Sequence, residues 1–185
     1  MSRTLRVVVS GLAVVLCAVA HAAGFTLSSP TAKTGSKLPD THVFNGFGCA
    51  GKNISPALKW SGAPKGTKSF ALTVYDPDAP TGSGWWHWVV VNIPATAGGL
   101  PEGAGALDGK ALPPGAAQVH NDFGQAAFGG ACPPPGDKPH RYIFTLYALK
   151  TDKIDVPADG TAALAGFMIH ANKLGAASFT SKYGR

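Results

Sequence analysis

Three apolar segments dominate the pattern of hydrophobic and polar positions along the chain. They read SFALTVYD at 69–76, WVVVNIP at 88–94 and RYIFTLYAL at 141–149. All three are rich in β-branched and aromatic residues and are bounded by Pro, Gly or Asp, as strands commonly are. Their nearly continuous hydrophobicity predicts strands that are at least partly buried on both faces.

One segment has a helical period. The stretch TAALAGFMIHANKLGAAS at 161–178 predicts a helix with an apolar stripe. The stripe comprises Leu164, Phe167, Met168 and Leu174. The Gly-, Ala- and Pro-rich stretch at 95–117 has little periodicity and predicts a long surface loop. Because strands outnumber helices and no repeat or linker divides the chain, the sequence indicates a mainly β protein with one domain.

The first 22 residues have the composition of a secretory signal peptide. Arg3 and Arg6 precede the apolar run VVVSGLAVVLCAVA, and the small residues AHA at 20–22 provide a peptidase site. An uncleaved membrane anchor is the alternative, but the run is shorter than the roughly 20 residues that span a bilayer. We therefore predict a signal peptide at 1–22, a single domain at 23–185, and a periplasmic or secreted protein.

The charge distribution gives little support for nucleic-acid binding. The chain has 16 basic and 10 acidic residues, and removal of residues 1–22 takes away two arginines and no acid, which leaves a net charge of +4. The lysines are scattered and form no basic run. A mild positive field of this kind favours anionic ligands.

Two cysteines, Cys49 and Cys132, follow the predicted signal peptide. In an oxidising compartment an even number of cysteines favours one disulfide, and two buried free thiols are the alternative. Neither cysteine has the CxxC spacing that zinc sites use, so no metal is expected at them.

The stretch YDPDAPTGSG at 75–84 holds two aspartates in a turn. Pro77 and Pro80 fix φ and remove amide donors, so Asp76 and Asp78 are expected to be rigid. A rigid carboxylate can orient an imidazole or accept hydrogen bonds from backbone amides. Asp before Pro is also common turn chemistry, so the motif alone leaves both interpretations open.

Three tryptophans surround His87 where the next strand begins. Alternation along the strand places Trp86 and Trp88 on the face opposite His87, and Trp85 on the same face as His87 if the strand begins that early. A histidine and an indole on one face beside a loop can line a pocket. A buried histidine bonded to one carbonyl is the alternative.

A second histidine lies in AFGGACPPPGDKPHRYIF at 127–144. His140 opens a strand as His87 does, and Tyr142, two residues on, shares its face. Gly129 and Gly130 would let backbone amides approach an anion. Together with a fixed aspartate, these groups predict a small anion site, although each is weak evidence alone.

Several long motifs resemble the phosphatidylethanolamine-binding proteins, also called Raf kinase inhibitor-like proteins. They are DPDAP at 76–80, GWWHWVVVNIP, FGGACPPPGDKPHRYIF and, typical of the bacterial branch, FNGFGCAGKNISPALKWSGAP at 44–64. The resemblance runs from about Leu38 to near the C-terminus, with the motifs in register. It implies a β-sandwich with a large central antiparallel sheet and a few peripheral helices.

The resemblance also implies a surface pocket for phosphate, acetate or phosphorylated head groups. The residues that match the family's pocket, with the glycine amide added above, are Asp76, Trp85, His87, Gly130, Pro134, His140 and Tyr142. It places both cysteines around this pocket. Phe128 stands where many relatives have a tyrosine, which would remove a hydroxyl from the rim, and Cys132 replaces a glycine of the animal members.

These features predict a non-catalytic binding protein for small anions or phosphorylated head groups, without a cofactor. The imidazoles of His87 and His140 and the amides at 129–131 would donate, and Asp76 would orient one imidazole. No GxSxG or HExxH motif is present. An inhibitor or signalling partner of an unidentified protease, kinase or host protein is the main alternative, and a metal-assisted hydrolase is a third. A homodimer remains open.

The signal peptide gives the first testable prediction. We expect the mature protein to begin at or near Ala23 and to be recovered from the periplasm or the medium, because the charged start, apolar run and AHA site match what signal peptidase cleaves. N-terminal sequencing of the purified protein checks this. A membrane-bound product that retains Met1 would contradict it.

Overall fold

Antiparallel sheets build residues 24–185, the part of the chain that the computed structural model describes. The predicted signal peptide lies outside these residues. The elements are β1 (Thr26–Ser28), β2 (Asn45–Gly46), β3 (Cys49–Ala50), β4 (Leu58–Ser61), β5 (Ser69–Asp76), β6 (Trp85–Pro94), β7 (Gly99–Leu100), β8 (Ala117–Val119), β9 (His140–Leu149), α1 (Ala162–Asn172) and β10 (Lys173–Tyr183). A short 3-10 helix spans Asp40–His42.

A five-stranded sheet with the order β10-β9-β5-β6-β8 forms the centre of the fold, and all of its neighbouring strands are antiparallel. One face of this sheet packs on the three-stranded sheet β1-β4-β7. Side chains such as Leu72 and Leu146 from the large sheet share one apolar core with Leu58 and Trp60 from the small one. The expected β-sandwich with a large central antiparallel sheet is confirmed.

The other face of the central sheet is covered by α1. Ala162, Ala165 and Ile169 of the helix are buried in a second apolar cluster that contains Val89 and Val91 of β6. Residues that face the sandwich and residues that face α1 therefore alternate along the central strands. This explains why their sequences are almost continuously apolar, and it confirms the prediction of strands buried on both faces.

The predicted helix at 161–178 is too long, and its apolar stripe is wrong. The helix ends at Asn172, and the chain continues directly into β10. The buried helical residues follow the spacing i, i+3, i+7 from Ala162, whereas Phe167 is 74% exposed. Small alanines let the helix approach the sheet closely, so Leu164 and Phe167 of the stripe are exposed, and of the predicted helical stripe only Met168 packs against the cluster beside Ile169. The later part of β10 alternates buried and exposed positions, but the buried set includes Ala177 and Ser181, which carry little hydrophobic signal.

The predicted surface loop at 95–117 is mostly confirmed. It contributes only the two residues of β7, which pair with β4, and it ends where β8 begins. Leu100 and Ala104 are buried, so the loop is anchored in the sandwich core by two apolar side chains.

The two cysteines form the expected disulfide. Cys49 in the small β2–β3 hairpin is bonded to Cys132 in the loop before β9, and their Cα atoms are 6.0 Å apart. The bond ties the hairpin to the loop that precedes β9 of the central sheet.

Two substitutions on α1 test which face of the helix supports the fold. We expect Ile169→Ala to lower the free energy of unfolding by about 2–5 kcal/mol, because Ile169 is fully buried. The exposed Phe167 provides the control, and Phe167→Ala should change that free energy by no more than about 0.5 kcal/mol. Urea unfolding measures both. A larger loss for Phe167→Ala than for Ile169→Ala would restore the stripe predicted from the sequence.

Candidate functional site

A β-bulge at His87 shapes one end of the central sheet. Val74 pairs with Trp88 and Tyr75 pairs with Trp86, so His87 is an extra residue without a partner on β5. The bulge interrupts the alternation of side chains. Trp88 therefore lies in the sandwich core while Trp86 packs on Tyr75 and belongs to the cluster beneath α1. The prediction that Trp86 and Trp88 share a face is wrong for this reason.

The sandwich core opens into a cavity at this end of the sheet. The inward row of β5 is apolar as far as Val74 and ends in Asp76, and the inward row of β9 begins with His140 and Tyr142 before it becomes apolar. The cavity has a volume of about 170 Å³. Its lining residues are Phe47, Asp76, Ala79, Pro80, Thr81, Trp85, His87, Phe123, Cys132, Pro133, Pro134, His140 and Tyr142. Six of the seven residues expected to bind a ligand are thus brought together.

Asp76 and His140 form a buried pair in the wall of the cavity. Oδ2 of Asp76 lies 2.8 Å from Nδ1 of His140, and both side chains are almost inaccessible to solvent. The other carboxylate oxygen of Asp76 accepts from the backbone N–H of Asp78 at 2.8 Å. Asp76 therefore orients an imidazole, as the sequence predicted, and the imidazole is that of His140.

The expected free N–H of His140 is not available. Its second nitrogen, Nε2, lies 3.3 Å from the half-exposed carboxylate of Asp137. Both ring nitrogens therefore face carboxylates, and the ring contributes its edge and face to the cavity wall. The donor role predicted for His140 is wrong in this geometry.

Asp78 supports the turn from outside the cavity. Its carboxylate accepts from Nη2 of Arg141 at 2.7 Å, from Nε at 2.9 Å and from the backbone N–H of Arg141 at 2.8 Å. The side-chain hydrogen bonds from Arg141 hold the pKa of Asp78 at about 2. This bidentate pair fixes the DPDAP loop against the start of β9.

His87 is a neutral ring of defined tautomer. Its Nδ1 lies 2.7 Å from the carbonyl oxygen of Gly129. Since a carbonyl only accepts, Nδ1 carries the proton and Nε2 has a lone pair. Burial lowers the pKa of His87, and this effect exceeds the opposing influence of the Gly129 carbonyl and the Asp76 carboxylate. Near neutral pH, Nε2 of His87 is therefore an acceptor, and not the N–H donor that was predicted from the sequence.

Three buried side-chain atoms within residues 24–185 have no hydrogen-bond partner, and all three belong to cavity-lining residues. They are Nε1 of Trp85, Nε2 of His87 and the hydroxyl of Tyr142. Burial raises the pKa of Tyr142 above its usual range, so the phenol keeps its proton. Buried polar groups are nearly always bonded in folded proteins, and this cluster therefore points to an external partner.

The glycine amides do not serve as anion donors. The N–H of Gly130 donates to Oδ1 of Asn53 at 2.7 Å, and the N–H of Gly129 donates to the carbonyl of His87 at 2.8 Å. Gly130 is absent from the lining, and a Cβ there would come within 2.5 Å of the carbonyl oxygen of His42. Close packing of two backbone segments requires glycine at 130, so the expected ligand role of Gly130 is wrong.

Aromatic side chains that the sequence analysis did not select form the rim. Phe47, at the tip of the β2–β3 hairpin, is 71% exposed, and Phe123 lies between it and the edge of the His87 ring. Phe44 stacks on Phe123 with ring centroids 4.4 Å apart. Phe128, which the family resemblance placed at the rim, is instead buried against Trp88 in the sandwich core.

Two further groups fix the rim in place. Buried Asn121 donates to the carbonyls of Ala127 and His87 and accepts from the N–H of Phe123, which holds the loop that carries the Phe123 ring. The guanidinium of Arg185 donates to the carbonyls of Phe47 and Pro133. Asn is typical of turns, but nothing in the sequence indicated that these turns border a cavity.

Two negative findings apply to residues 24–185. No group of three or more His, Cys, Asp or Glu side chains is arranged to hold a metal ion. No helix in the same range combines the length and the hydrophobicity that crossing a membrane requires.

The structure is a sheet sandwich whose core opens into a cavity at one end, and sequence comparison specifies the family. The profile of the phosphatidylethanolamine-binding protein family matches residues 28–184. The UPF0098 protein YbcL of Escherichia coli K12 is 62% identical over 164 residues, which are 89% of this chain and 90% of YbcL. The UPF0098 protein YbhB of the same organism is 52% identical over 157 residues, 85% of this chain and 98% of YbhB. The chain belongs to the phosphatidylethanolamine-binding protein family.

Solved structures agree with this assignment. The crystal structure of Escherichia coli YbcL, described as a member of the mammalian family, superimposes with a TM-score of 0.87 at 61% identity and covers 88% of this chain and 99% of that one. A Chlamydia trachomatis homologue superimposes with a TM-score of 0.72 at 29% identity, over 88% and 98% of the two chains.

The buried Asp76–His140 pair gives a testable prediction. We expect Asp76→Ala to lower the free energy of unfolding by about 1.5–3 kcal/mol, because it removes an acceptor from both His140 and the amide of Asp78 in a dry environment. Asp137→Ala is the control at the other nitrogen of the same ring. Since Asp137 is half exposed, its loss should cost about 1 kcal/mol or less. Equal losses in urea unfolding would show that the two carboxylates support His140 alike.

Proposed function

We propose that this is an exported, non-catalytic binding protein whose cavity holds a small oxyanion, either free phosphate or the phosphoryl group of a larger molecule. The observation that carries this proposal is that three buried polar atoms without a hydrogen-bond partner all belong to residues that line one cavity. In water or in a well-packed core such atoms would be bonded. Here a ligand with oxygen acceptors could accept hydrogen bonds from Trp85 and Tyr142, and an O–H of the ligand could donate to Nε2 of His87.

The donors and the size of the cavity favour an oxyanion. Trp85 Nε1 is a donor only, and the protonated Tyr142 hydroxyl is a second donor, so two N–H or O–H groups can reach the oxygens of one tetrahedral or planar group. Drug-sized ligands occupy pockets of about 300–1,000 Å³. A cavity of about 170 Å³ accepts a small head group and leaves the remainder of a larger ligand at the aromatic rim.

Hydrogen bonding, rather than charge neutralisation, would hold this ligand. None of the lining residues in the described part of the chain is Lys or Arg, and the carboxylate of Asp76 is already paired with His140. The net charge of +4 predicted after removal of residues 1–22 would assist the approach of an anion only through its weak long-range field.

The same geometry favours binding without catalysis. The hydroxyl of Thr81, which lines the cavity, donates to the carbonyl of Gly84, and the nitrogens of His87 and His140 contact no hydroxyl. No nucleophile is thus paired with a base among the lining residues. The family description, phosphatidylethanolamine-binding protein, also supports a binding role.

Two observations support export. The N-terminal sequence has the pattern of a signal peptide, and the Cys49–Cys132 disulfide is a bond that persists in oxidising compartments. A periplasmic or secreted location would place the pocket where free phosphate and phosphorylated molecules outside the cytoplasm can enter it.

A pair of tyrosine variants tests the proposal. We expect Tyr142→Phe to weaken phosphate binding by about tenfold, the scale of a hydrogen bond to a charged group, without lowering the free energy of unfolding. Loss of affinity without loss of stability is the signature of a hydroxyl whose partner is the ligand. Calorimetric titration and urea unfolding measure the two quantities.

Tyr75→Phe is the matched control. The hydroxyl of Tyr75 donates to the carbonyl of Ser83 at 2.7 Å and lies outside the cavity lining. This variant should lose about 1 kcal/mol of stability and keep its affinity for phosphate. Wild-type protein that binds no phosphate at millimolar concentration would refute the proposed function.

A further inference from the structure

The three unpaired atoms of the cavity differ in hydrogen-bonding character. Trp85 Nε1–H donates, and the Tyr142 hydroxyl donates. Nε2 of His87 accepts, because the proton of the ring is on Nδ1, bonded to Gly129 at 2.7 Å. A ligand that satisfies all three must present oxygen acceptors to two of them and a hydrogen-bond donor to the third.

The surroundings of His87 disfavour protonation of Nε2, so this nitrogen stays a hydrogen-bond acceptor. The ring is 3% exposed and lies edge-on to Phe123 and Tyr142, with ring centroids 5.4 and 5.0 Å away. Burial lowers the pKa of His87. The groups that oppose this effect are the carbonyls of Gly129 and Gly130 and the carboxylates of Asp76 and Asp122, and burial outweighs them.

The charge of the wall acts in the same direction. Asp76 contributes the carboxylate that faces the cavity, and the lining residues include neither Lys nor Arg. Moving a doubly charged ion into a buried site lined by neither Lys nor Arg is costly, whereas a singly charged, protonated oxyanion loses less solvation.

We propose that the pocket selects a singly charged oxyanion that carries an acidic O–H, that is, dihydrogen phosphate or the monoanion of a phosphate monoester, with this O–H donated to Nε2 of His87. Sulfate and phosphodiesters, which have no such proton near neutral pH, would leave Nε2 buried and unpaired. The inference rests on the proposed function and narrows its ligand class. Under this inference the pocket does not prefer a phosphodiester, the type of head group found in the phosphatidylethanolamine that the family description names.

A ligand series on the wild-type protein tests the inference. Inorganic phosphate, methyl phosphate, dimethyl phosphate and sulfate are titrated at pH 6.5 by calorimetry. We expect phosphate and methyl phosphate to bind at least about tenfold more tightly than the other two, which is the effect of leaving a buried acceptor unpaired. Sulfate or dimethyl phosphate binding as tightly as phosphate would overturn the inference and leave the proposed function standing. If none of the four ligands bound, the proposed function itself would be refuted.

The pH dependence distinguishes the source of the proton. If the ligand supplies it, phosphate affinity falls as pH rises through the second ionisation of phosphate, while sulfate binds weakly at every pH. If His87 became an imidazolium, sulfate and phosphate would both bind more tightly as pH falls, and the inference would be wrong. The ¹⁵N spectrum of histidine-labelled protein saturated with phosphate gives a direct readout. We expect Nε2 of His87 to stay unprotonated, and a protonated Nε2 would contradict the proposal.

Two variants connect this selectivity to one atom. His87→Leu removes the acceptor, so the preference for phosphate over dimethyl phosphate, which is also singly charged, should collapse toward unity. Tyr142→Phe removes a donor that every oxyanion would use, so all affinities should fall by a similar factor and the preference should persist. If His87→Leu does not fold, the ligand series on the wild-type protein decides the matter. A preference retained in folded His87→Leu would show that His87 does not provide the selectivity.

Discussion

The site depends on one extra residue in β6. Without the bulge, regular alternation would either turn Trp85 and His87 away from the core or turn Trp88 out of it, because the period of a strand is two. The bulge satisfies both requirements, and the bond from Nδ1 to Gly129 then fixes the ring. The reciprocal bond from the N–H of Gly129 to the carbonyl of His87 attaches the covering loop at the same point. Strand irregularity, ring orientation and pocket wall are therefore one structural unit.

The sequence was sufficient for the architecture and for six of the thirteen residues that line the cavity. Alternate residues of β5 end in Asp76 and alternate residues of β9 begin with His140, and both rows could be read directly from the sequence. The family motifs supplied Trp85 and Pro134. Hydrogen-bond roles could not be read in this way, since they depend on which partners are already engaged. His140 faces two carboxylates, and the glycine amides are bonded to the backbone and to Asn53. Only the three-dimensional arrangement reveals these competitors.

The predictions that were wrong near the C-terminus, the length and the apolar stripe of the helix at 161–178, failed for a different physical reason. The helix and β10 are joined without a loop, and the switch from period 3.6 to period two occurs within Gly, Ala and Ser, which carry weak hydrophobic signals. Packing against the central sheet determined which face of α1 is buried, because alanine side chains let the helix approach the sheet more closely than Leu or Phe would. Short-range patterns identify an apolar surface, and the neighbouring element determines which part of it is covered.

Covalent linkage makes the mouth of the pocket sensitive to its chemical environment. Cys132 is part of the wall, and its partner Cys49 belongs to the two-stranded hairpin that carries Phe47, outside the central sheet. The hairpin is held to the rest of the fold partly by this bond and by the packing of Cys49 against the sandwich core. Oxidised and reduced forms of the chain thus present two differently restrained entrances, and ligand affinities are comparable between preparations only when the thiol state is the same.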